Sequence, residues 1–281
     1  MCGITGLWKR NLKNKEVFLE DINKMTDSIT HRGPDDRGIY TEQNIGLGLG
    51  FRRLSIIDLS ETGHQPMISP SGRFTVIFNG EIYNYKDLKK ELLKEKNISF
   101  KGSSDTEVLV NLFENWGIER TLKKLNGMFA IGLWDKKDRL LTLARDRIGI
   151  KPLYYGFQKG DFIFGSELRT VKKNSNFQGE IDREALGLFF KHNYIPAPYS
   201  IYKGIKKLEP AHYLQIDEDH NIVKKSYWPI ERITEENLKN PFHSTFESMV
   251  DELERLLVDS IEKRMVSDVP LGTFLSGGID S

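Results

Sequence analysis

The chain opens MCGITG, and Cys2 is its only cysteine. A thiol beside a chain end can be a small hydrophobe in a first strand. With Met1 removed, it becomes a nucleophile that carries its own base. A free cysteine, with a pKa of about 8.5, is mostly thiol at neutral pH, whereas an α-amine at about 7.7–8.0 can shuttle the proton. No histidine is then needed. Attack on a carboxamide also needs donors aimed at the oxyanion. FNGE offers the Asn79 side-chain amide and the Gly80 N–H at the end of a strand, although an isolated NG pair commonly marks a hairpin turn. A substrate with charged ends needs partners too. Arg53 is a candidate fork for a carboxylate, and Glu81 and Asp105 are candidates to hold an ammonium.

A second constellation closes the chain. LSGGIDS, residues 275–281, follows the apolar run VPLGTFL, read as a strand. Backbone N–H groups in a glycine-rich turn at a helix start can cradle phosphate oxygens. No lysine follows the glycines, so this is not the GxxxxGK[ST] loop.

Elements must position these groups. CGITGLW reads as a first strand, and Phe18, Ile22, Met25 and Ile29 recur at helical spacing. HRGPDDRG reads as a polar loop and IGLGLGFRRLSIID as extended chain. RFTVIFNG alternates as a strand ending at Gly80, and Tyr85, Leu88 and Leu92 mark a helix. SDTE has capping-box spacing, so a helix should start near Asp105 with Val108, Leu112, Phe113 and Trp116 buried. Two strand pairs follow, in MFAIGLWDKKDRLLTLARD and PLYYGFQKGDFIFGSE. Strands grouped apart from helices point to antiparallel sheets flanked by helices, an α+β fold. YIPAPYSIYKGIKKLEP reads as a boundary segment, EDHNIVKK as a polar turn between short strands and ERITEENLKNPF as a linker. Ser244 and Glu247 form a second capping box, opening a helix with Phe246, Met249, Val250, Leu253, Leu257 and Ile261 on its apolar side.

Composition narrows the function. Apolar residues make up 38%, charged residues 29% and aromatics 11%, an ordinary globular profile. Forty-one basic against 40 acidic residues leave a net charge of +1, with no field for nucleic acid. One cysteine suits a reducing cytoplasm. The N-terminus is too polar for a signal peptide, and no apolar run is long enough for a membrane span. The expected partners are small molecules. His31 and His64 read as structural groups in turns, and no metal site is expected in this part of the chain.

MCGITG, HRGPDDRG, FRRLSIIDLS, GHQPM, FNGEIYNY, GSSDTEVL, LNGMFAIGLWD and ARDRIGIKPLYY occur in this order. Together they resemble the glutaminase domain of the glutamine-hydrolysing asparagine synthetase family, over essentially the whole chain. The resemblance implies an N-terminal-nucleophile hydrolase fold, a four-layer αββα sandwich of two antiparallel sheets between helices. It implies that Cys2 is the nucleophile and that Asn79 and Gly80 form the oxyanion hole. Arg53 would clamp the glutamine α-carboxylate, with Leu54, Ser55, Ile56 and Ile57 lining the pocket, and Glu81 and Asp105 would hold the α-amine. Phe51 departs from the histidine of many members. SGGxDS resembles the pyrophosphate loop of an α/β ATP-pyrophosphatase domain. Ser276, Gly277, Gly278, Asp280 and Ser281 would contact pyrophosphate and Leu275 the nucleotide.

The expected divisions are 2–210 for the glutaminase domain, 211–243 for a connecting segment and 244–281 for the truncated start of the synthetase domain. In the family, ammonia from glutamine amidates aspartate activated by ATP and Mg2+. The glutaminase half needs no cofactor, and a second copy of the chain is a candidate partner. Sister enzymes acting on phosphoribosyl diphosphate or sugar phosphates share MCG and NGE but lack LSGGIDS. The resemblance leaves open an amidotransferase with another acceptor, in surface-polysaccharide or peptide modification. A glutamine-binding module without turnover is disfavoured by Cys2, Asn79 and Asp105 occurring together.

Overall fold

The structure is a computed structural model that describes residues 1–278. In chain order it runs β1 (Gly3–Trp8), α1 (Lys15–Asp27), β2 (Asp36–Glu42), β3 (Leu47–Arg53), β4 (Met67–Ile68), β5 (Phe74–Ile82), α2 (Tyr85–Glu95) and α3 (Asp105–Lys124). There follow β6 (Gly127–Asp135), β7 (Leu140–Arg145), β8 (Tyr154–Gln158), β9 (Asp161–Gly165), α4 (Leu168–Val171), α5 (Arg183–His192) and β10 (Ile205–Lys207). The chain continues with β11 (His212–Ile216), β12 (Ile222–Ser226), α6 (Ile230–Lys239) and α7 (Phe246–Arg264).

The strands form two six-stranded sheets, ordered β10-β8-β9-β1-β3-β2 and β12-β11-β7-β6-β5-β4, and every named pairing is antiparallel. The period-two alternation of strands sorts their side chains into separate layers. On β1, Ile4 and Trp8 enter the cluster between the sheets, while Leu7 faces the opposite way, onto Phe18, Ile22 and Met25 of α1. On β5, Ile77 joins the inter-sheet cluster, while Val76, Phe78 and Ile82 pack against Leu88, Leu92, Leu109 and Phe113 of α2 and α3. Helix, sheet, sheet, helix is the order of layers, as the α+β sandwich reading expected. Trp8 and Trp134 meet edge to face at 5.2 Å across the inter-sheet layer, a contact that adds to their area burial.

Local signals place several element ends. Ser104 accepts from Glu107 N–H at 3.2 Å and starts α3. The return half of that capping box is absent: Glu107 instead accepts from the Lys101 and Gly102 N–H groups, which folds the preceding loop onto the helix. Gly117 breaks α3 with φ 74°, a region costly for residues with a Cβ.

Six expectations differ from the structure. The HRGPDDRG loop is shorter than expected, because Asp36–Gly38 already pair with β3. NG is no hairpin turn, and β5 runs past Gly80 to Ile82 because Gly80 and Glu81 pair with Phe129 and Met128. The cap of α7 is Thr245, which accepts from Ser248 N–H, and most of ERITEENLKNPF, read as linker, lies in the helix Ile230–Lys239. VPLGTFL forms no strand, and Phe274 and Leu275 are exposed. The span 211–243 is not a mere connector: β11 extends the second sheet beside β7, and Tyr213, Leu214, Ile216 and Tyr227 are buried in the two cores that sheet divides. Short polar strands at a sheet margin carry too weak a pattern to announce this. By contrast, the apolar side of α7 is exposed along its length.

Candidate active site

A cavity of about 270 Å³ opens at one end of the sandwich, below the roughly 300–1,000 Å³ of drug-sized sites, so it suits a small metabolite. It lies where the start of β1 meets the end of β5. Cys2 packs against the inter-sheet cluster on the same face as Ile4. Asn79 and Glu81 share the strand face of Ile77. The two sheets thus aim residues 2 and 79 into one space. Arg53 comes from the end of β3, Leu54, Ile56 and Ile57 from the loop after it, and Asp105 from the first turn of α3. Ser55 is not part of this lining. Its N–H donates to Asp35 Oδ2 at 2.8 Å, and it borders a separate cavity.

Cys2 is held from three sides. Its carbonyl accepts from Arg32 Nε at 2.9 Å, and Gly3 starts β1 against Arg52. Its Sγ lies 3.4 Å from Leu54 N and 3.5 Å from Leu54 O. Burial pushes the thiol pKa up, and the Leu54 amide acts against that. A thiol so disfavoured as thiolate needs a nearby base. Met1 occupies part of the cavity, and burial lowers the pKa of its α-amine, which moves an amine toward the free-base form.

Asn79 is 1% exposed, and neither its Nδ2 nor its Oδ1 has a hydrogen-bond partner among the described residues. An orphaned buried amide costs about 1–3 kcal/mol, so something outside the chain is its natural partner. Gly80 supplies a second donor by geometry. Phe78 N–H donates to Gln65 Oε1 at 2.6 Å, and Ile82 N–H to Asp105 Oδ2 at 2.9 Å. Both bonds run away from β6, along the edge that two-residue β4 leaves uncovered. Alternation turns the Gly80 N–H to that same edge, toward the cavity it lines. A Cβ on residue 80 would stand 2.0 Å from the Met128 carbonyl oxygen, so the close strand approach requires glycine here.

The charged groups are arranged by burial. Asp105 is pushed up to about 7, first by burial and further by Glu81, with the Ile82 amide opposing. Burial also raises Glu81, and Lys151 opposes that shift. Together they form an acidic wall, with Lys151 lining the same cavity. Arg53 donates from Nη1 to Ser60 O at 3.0 Å and from Nη2 to Ile57 O at 3.3 Å, and it also bonds Asp58 O. It therefore staples the loop that forms the cavity wall. Asp58 completes that staple: Ser60, Thr62 and Ser103 donate to its carboxylate and hold its pKa near 2 against the opposing effect of burial.

Residues with no assigned role in the sequence reading also build the site. Gln65 fixes Phe78. Asp146, fully buried, collects the N–H groups of Phe129, Ile148, Ile150 and Lys151 and so shapes the loop after β7. Asp268, beyond α7, accepts from Asp58 N–H at 2.7 Å and donates its own N–H to Ile56 O at 2.9 Å. The Gln65 and Asp268 contacts join segments distant in sequence, whereas Asp146 serves N–H groups two to five residues ahead of it as well as Phe129. Lys151 also lines the cavity and was not singled out in the sequence.

Of the second constellation, Leu275, Ser276, Gly277 and Gly278 are exposed and lie outside this cavity. Gly278 N–H donates to Ser276 Oγ at 3.2 Å. Asp280 and Ser281 lie outside the described residues. Among the described residues, no group of His, Cys, Asp and Glu is placed to hold a metal ion, and no helix is long and apolar enough to cross a membrane.

Two packed antiparallel sheets between helical layers, with Cys2 at the start of β1 between the sheet ends, form the N-terminal-nucleophile hydrolase fold. A solved structure of that fold, glutamine phosphoribosylpyrophosphate amidotransferase from B. subtilis, superposes with a TM-score of 0.58 at 19% identity. It covers 80% of this chain and 49% of its own, a likeness of fold. Residues 1–228 match the family model of the glutamine amidotransferase domain, and the chain belongs to that family. Residues 252–281 match the asparagine synthase family. A curated relative from Methanocaldococcus jannaschii, named as a glutamine-hydrolysing asparagine synthetase, is 40% identical over 300 residues, covering 100% of this chain and 55% of its own. Asparagine synthetase [glutamine-hydrolyzing] 1 of Bacillus subtilis is 39% identical over 282 residues, covering 100% and 43%. The chain thus spans about half the length of these relatives.

Proposed function

We propose that this chain is the glutamine-hydrolysing part of an asparagine synthetase, and that Cys2 is its nucleophile once Met1 is removed. Cys2 Sγ attacks the side-chain carboxamide carbon of glutamine, and the thiol proton passes to the Cys2 α-amine. Asn79 Nδ2 and Gly80 N–H receive the oxyanion, where one such donor is worth about 3 kcal/mol. As the intermediate collapses, the amine returns the proton to the departing nitrogen, which leaves as ammonia. Water then hydrolyses the γ-glutamyl thioester to glutamate, by the same base in reverse order. Arg53 holds the substrate α-carboxylate, with Leu54, Ile56 and Ile57 against its carbon chain. Glu81 and Asp105 hold the α-ammonium.

One observation carries this reading: the Asn79 amide is buried, unpartnered and turned to the cavity that holds Cys2. A binding module would gain nothing from a desolvated donor with no ground-state partner. In the full-length protein we assign the ammonia to aspartate, activated with ATP and Mg2+, giving asparagine. Support for that half is the asparagine synthase match at 252–281 and the names of the relatives. Leu275, Ser276, Gly277, Gly278, Asp280 and Ser281 would hold the nucleotide. The proposal places the enzyme in the cytoplasm, with a second copy as the candidate partner.

The test is to purify the protein, establish by intact mass whether Met1 is gone, and follow ammonia release from glutamine. Full activity with Met1 attached would refute the amine as base. Asparagine formation by the full-length protein from aspartate, ATP and glutamine then checks the acceptor. Turnover of glutamine without asparagine would assign another acceptor.

A further inference from the structure

Lys151 is a buried ammonium in an unusual position. The residue is 4% exposed and lines the cavity with Cys2 and Glu81. Its backbone is clamped at both ends, by Asp146 Oδ2 accepting its N–H at 2.9 Å and Arg145 Nε donating to its carbonyl at 2.7 Å. Its Nζ makes one hydrogen bond among the described residues, to Met1 Sδ at 3.3 Å. A thioether is a weak acceptor, and buried charges are ordinarily paired. Removal of Met1 takes away even this contact. It leaves the ammonium facing the space where the Cys2 nitrogen becomes a free amine.

We infer that Lys151 is a positioning residue for glutamine hydrolysis: its positive charge, in the cavity that Cys2 also lines, keeps the new α-amine unprotonated and ready to accept the thiol proton. The inference rests on the amine-as-base reading and deepens it. A neighbouring cation disfavours a second cation and favours a thiolate, so one charge assists both partners of the proton transfer.

Arg32 lowers the amine at the chain start in the same sense, but unlike Lys151 it is engaged by other partners. Arg32 is tied to the Cys2 carbonyl and Glu167, and Arg53 to three loop carbonyls. Asp35, Glu81 and Asp105 are acidic and act in the opposite sense, and Asp146 backs Lys151 through the backbone. Burial lowers the Lys151 pKa, and Glu81 counters this, sustaining the charge. Lys151 and Arg32 both act with burial to lower the amine at the chain start.

The experiment compares full-length wild type with Lys151→Met, Lys151→Gln and Lys151→Arg, each first confirmed by intact mass to have lost Met1 and by circular dichroism to be folded. Ammonia release from glutamine is followed as kcat/KM against pH, and alkylation of Cys2 by iodoacetamide is followed against pH without substrate. In the uncharged variants the acid limb should move up by about one unit, with about a tenfold loss at neutral pH that alkaline pH recovers. The alkylation midpoint should rise with it, and Lys151→Arg should keep both midpoints near wild type. A uniform loss at every pH, with midpoints unmoved, would assign Lys151 a purely structural role and overturn the inference. A wild-type protein that loses Met1 yet releases no ammonia from glutamine would overturn the reading beneath it as well.

Discussion

The Ile82 amide donates to Asp105 Oδ2 at 2.9 Å, so the strand that carries Asn79 and Gly80 ends against the first turn of α3. The same carboxyl, pushed up to about 7 chiefly by burial, ties the pH dependence of stability to the site. Its folded pKa lies above the ordinary 3.8, so the folded state holds the proton more tightly. This favours folding fully below about pH 3.8 and is lost as pH rises through about 7. The displacement is worth roughly 4 kcal/mol at most. Asp105→Asn, which keeps an acceptor for Ile82, should therefore gain stability over wild type above neutrality and little in acid. Urea unfolding at both pH values measures this. A gain independent of pH would contradict the assignment, and the variant should bind glutamine poorly.

Asn79→Ala should lower kcat for glutamine hydrolysis by about 10²- to 10³-fold while moving KM little. On the proposed mechanism it removes a donor whose partner forms only in the intermediate. Steady-state kinetics decide the matter, and a rise in KM with kcat preserved would make Asn79 a ground-state binding group.

Gly80→Ala should abolish turnover by a different route. Its Cβ would lie 2.0 Å from Met128 O, so β5 and β6 must part where the oxyanion donor sits. The variant should lose both activity and thermal stability. An active, stable variant would show that the strand spacing is less demanding than the geometry implies.

Arg53→Ala should raise KM for glutamine by about tenfold or more, the cost of leaving a charged hydrogen-bonding group unmatched. It should also lower the melting temperature, because Arg53 holds the carbonyls of Ile57, Asp58 and Ser60. A changed melting temperature with unchanged KM would reduce Arg53 to a loop staple.

Lys9→Met tests the scaffold apart from the chemistry. Lys9 Nζ lies 2.8 Å from Asp21 and 3.3 Å from Asp161, all buried. Removing the cation leaves two carboxylates unpaired, at a cost of about 3–5 kcal/mol. Urea denaturation should report that loss, while the folded fraction keeps the wild-type KM. A neutral substitution would mean the acids protonate or hydrate instead.

Much of the layout is legible in the chain alone. Alternation in RFTVIFNG and 3.6-residue spacing in the helix segments follow from local geometry, so the strands, the α3 cap and the two flanking layers could be read directly. The thiol at position 2 and the NG pair were visible as chemistry. What only the tertiary structure decided is how they meet. NG became a strand interior because β6 pairs with it at Phe129 and Ala130, a contact about 50 residues away that no local pattern encodes. Ser55 turned toward Asp35, and β11 joined a sheet that its own short pattern did not announce. Lys151, Asp146 and Asp268 entered the site through loops whose course depends on buried side-chain acceptors. Sequence thus determined which residues could react and which faces would be buried, because those follow from side-chain type and period. The fold decided orientation, since a hydrogen bond between distant segments exists only after the sheets have packed.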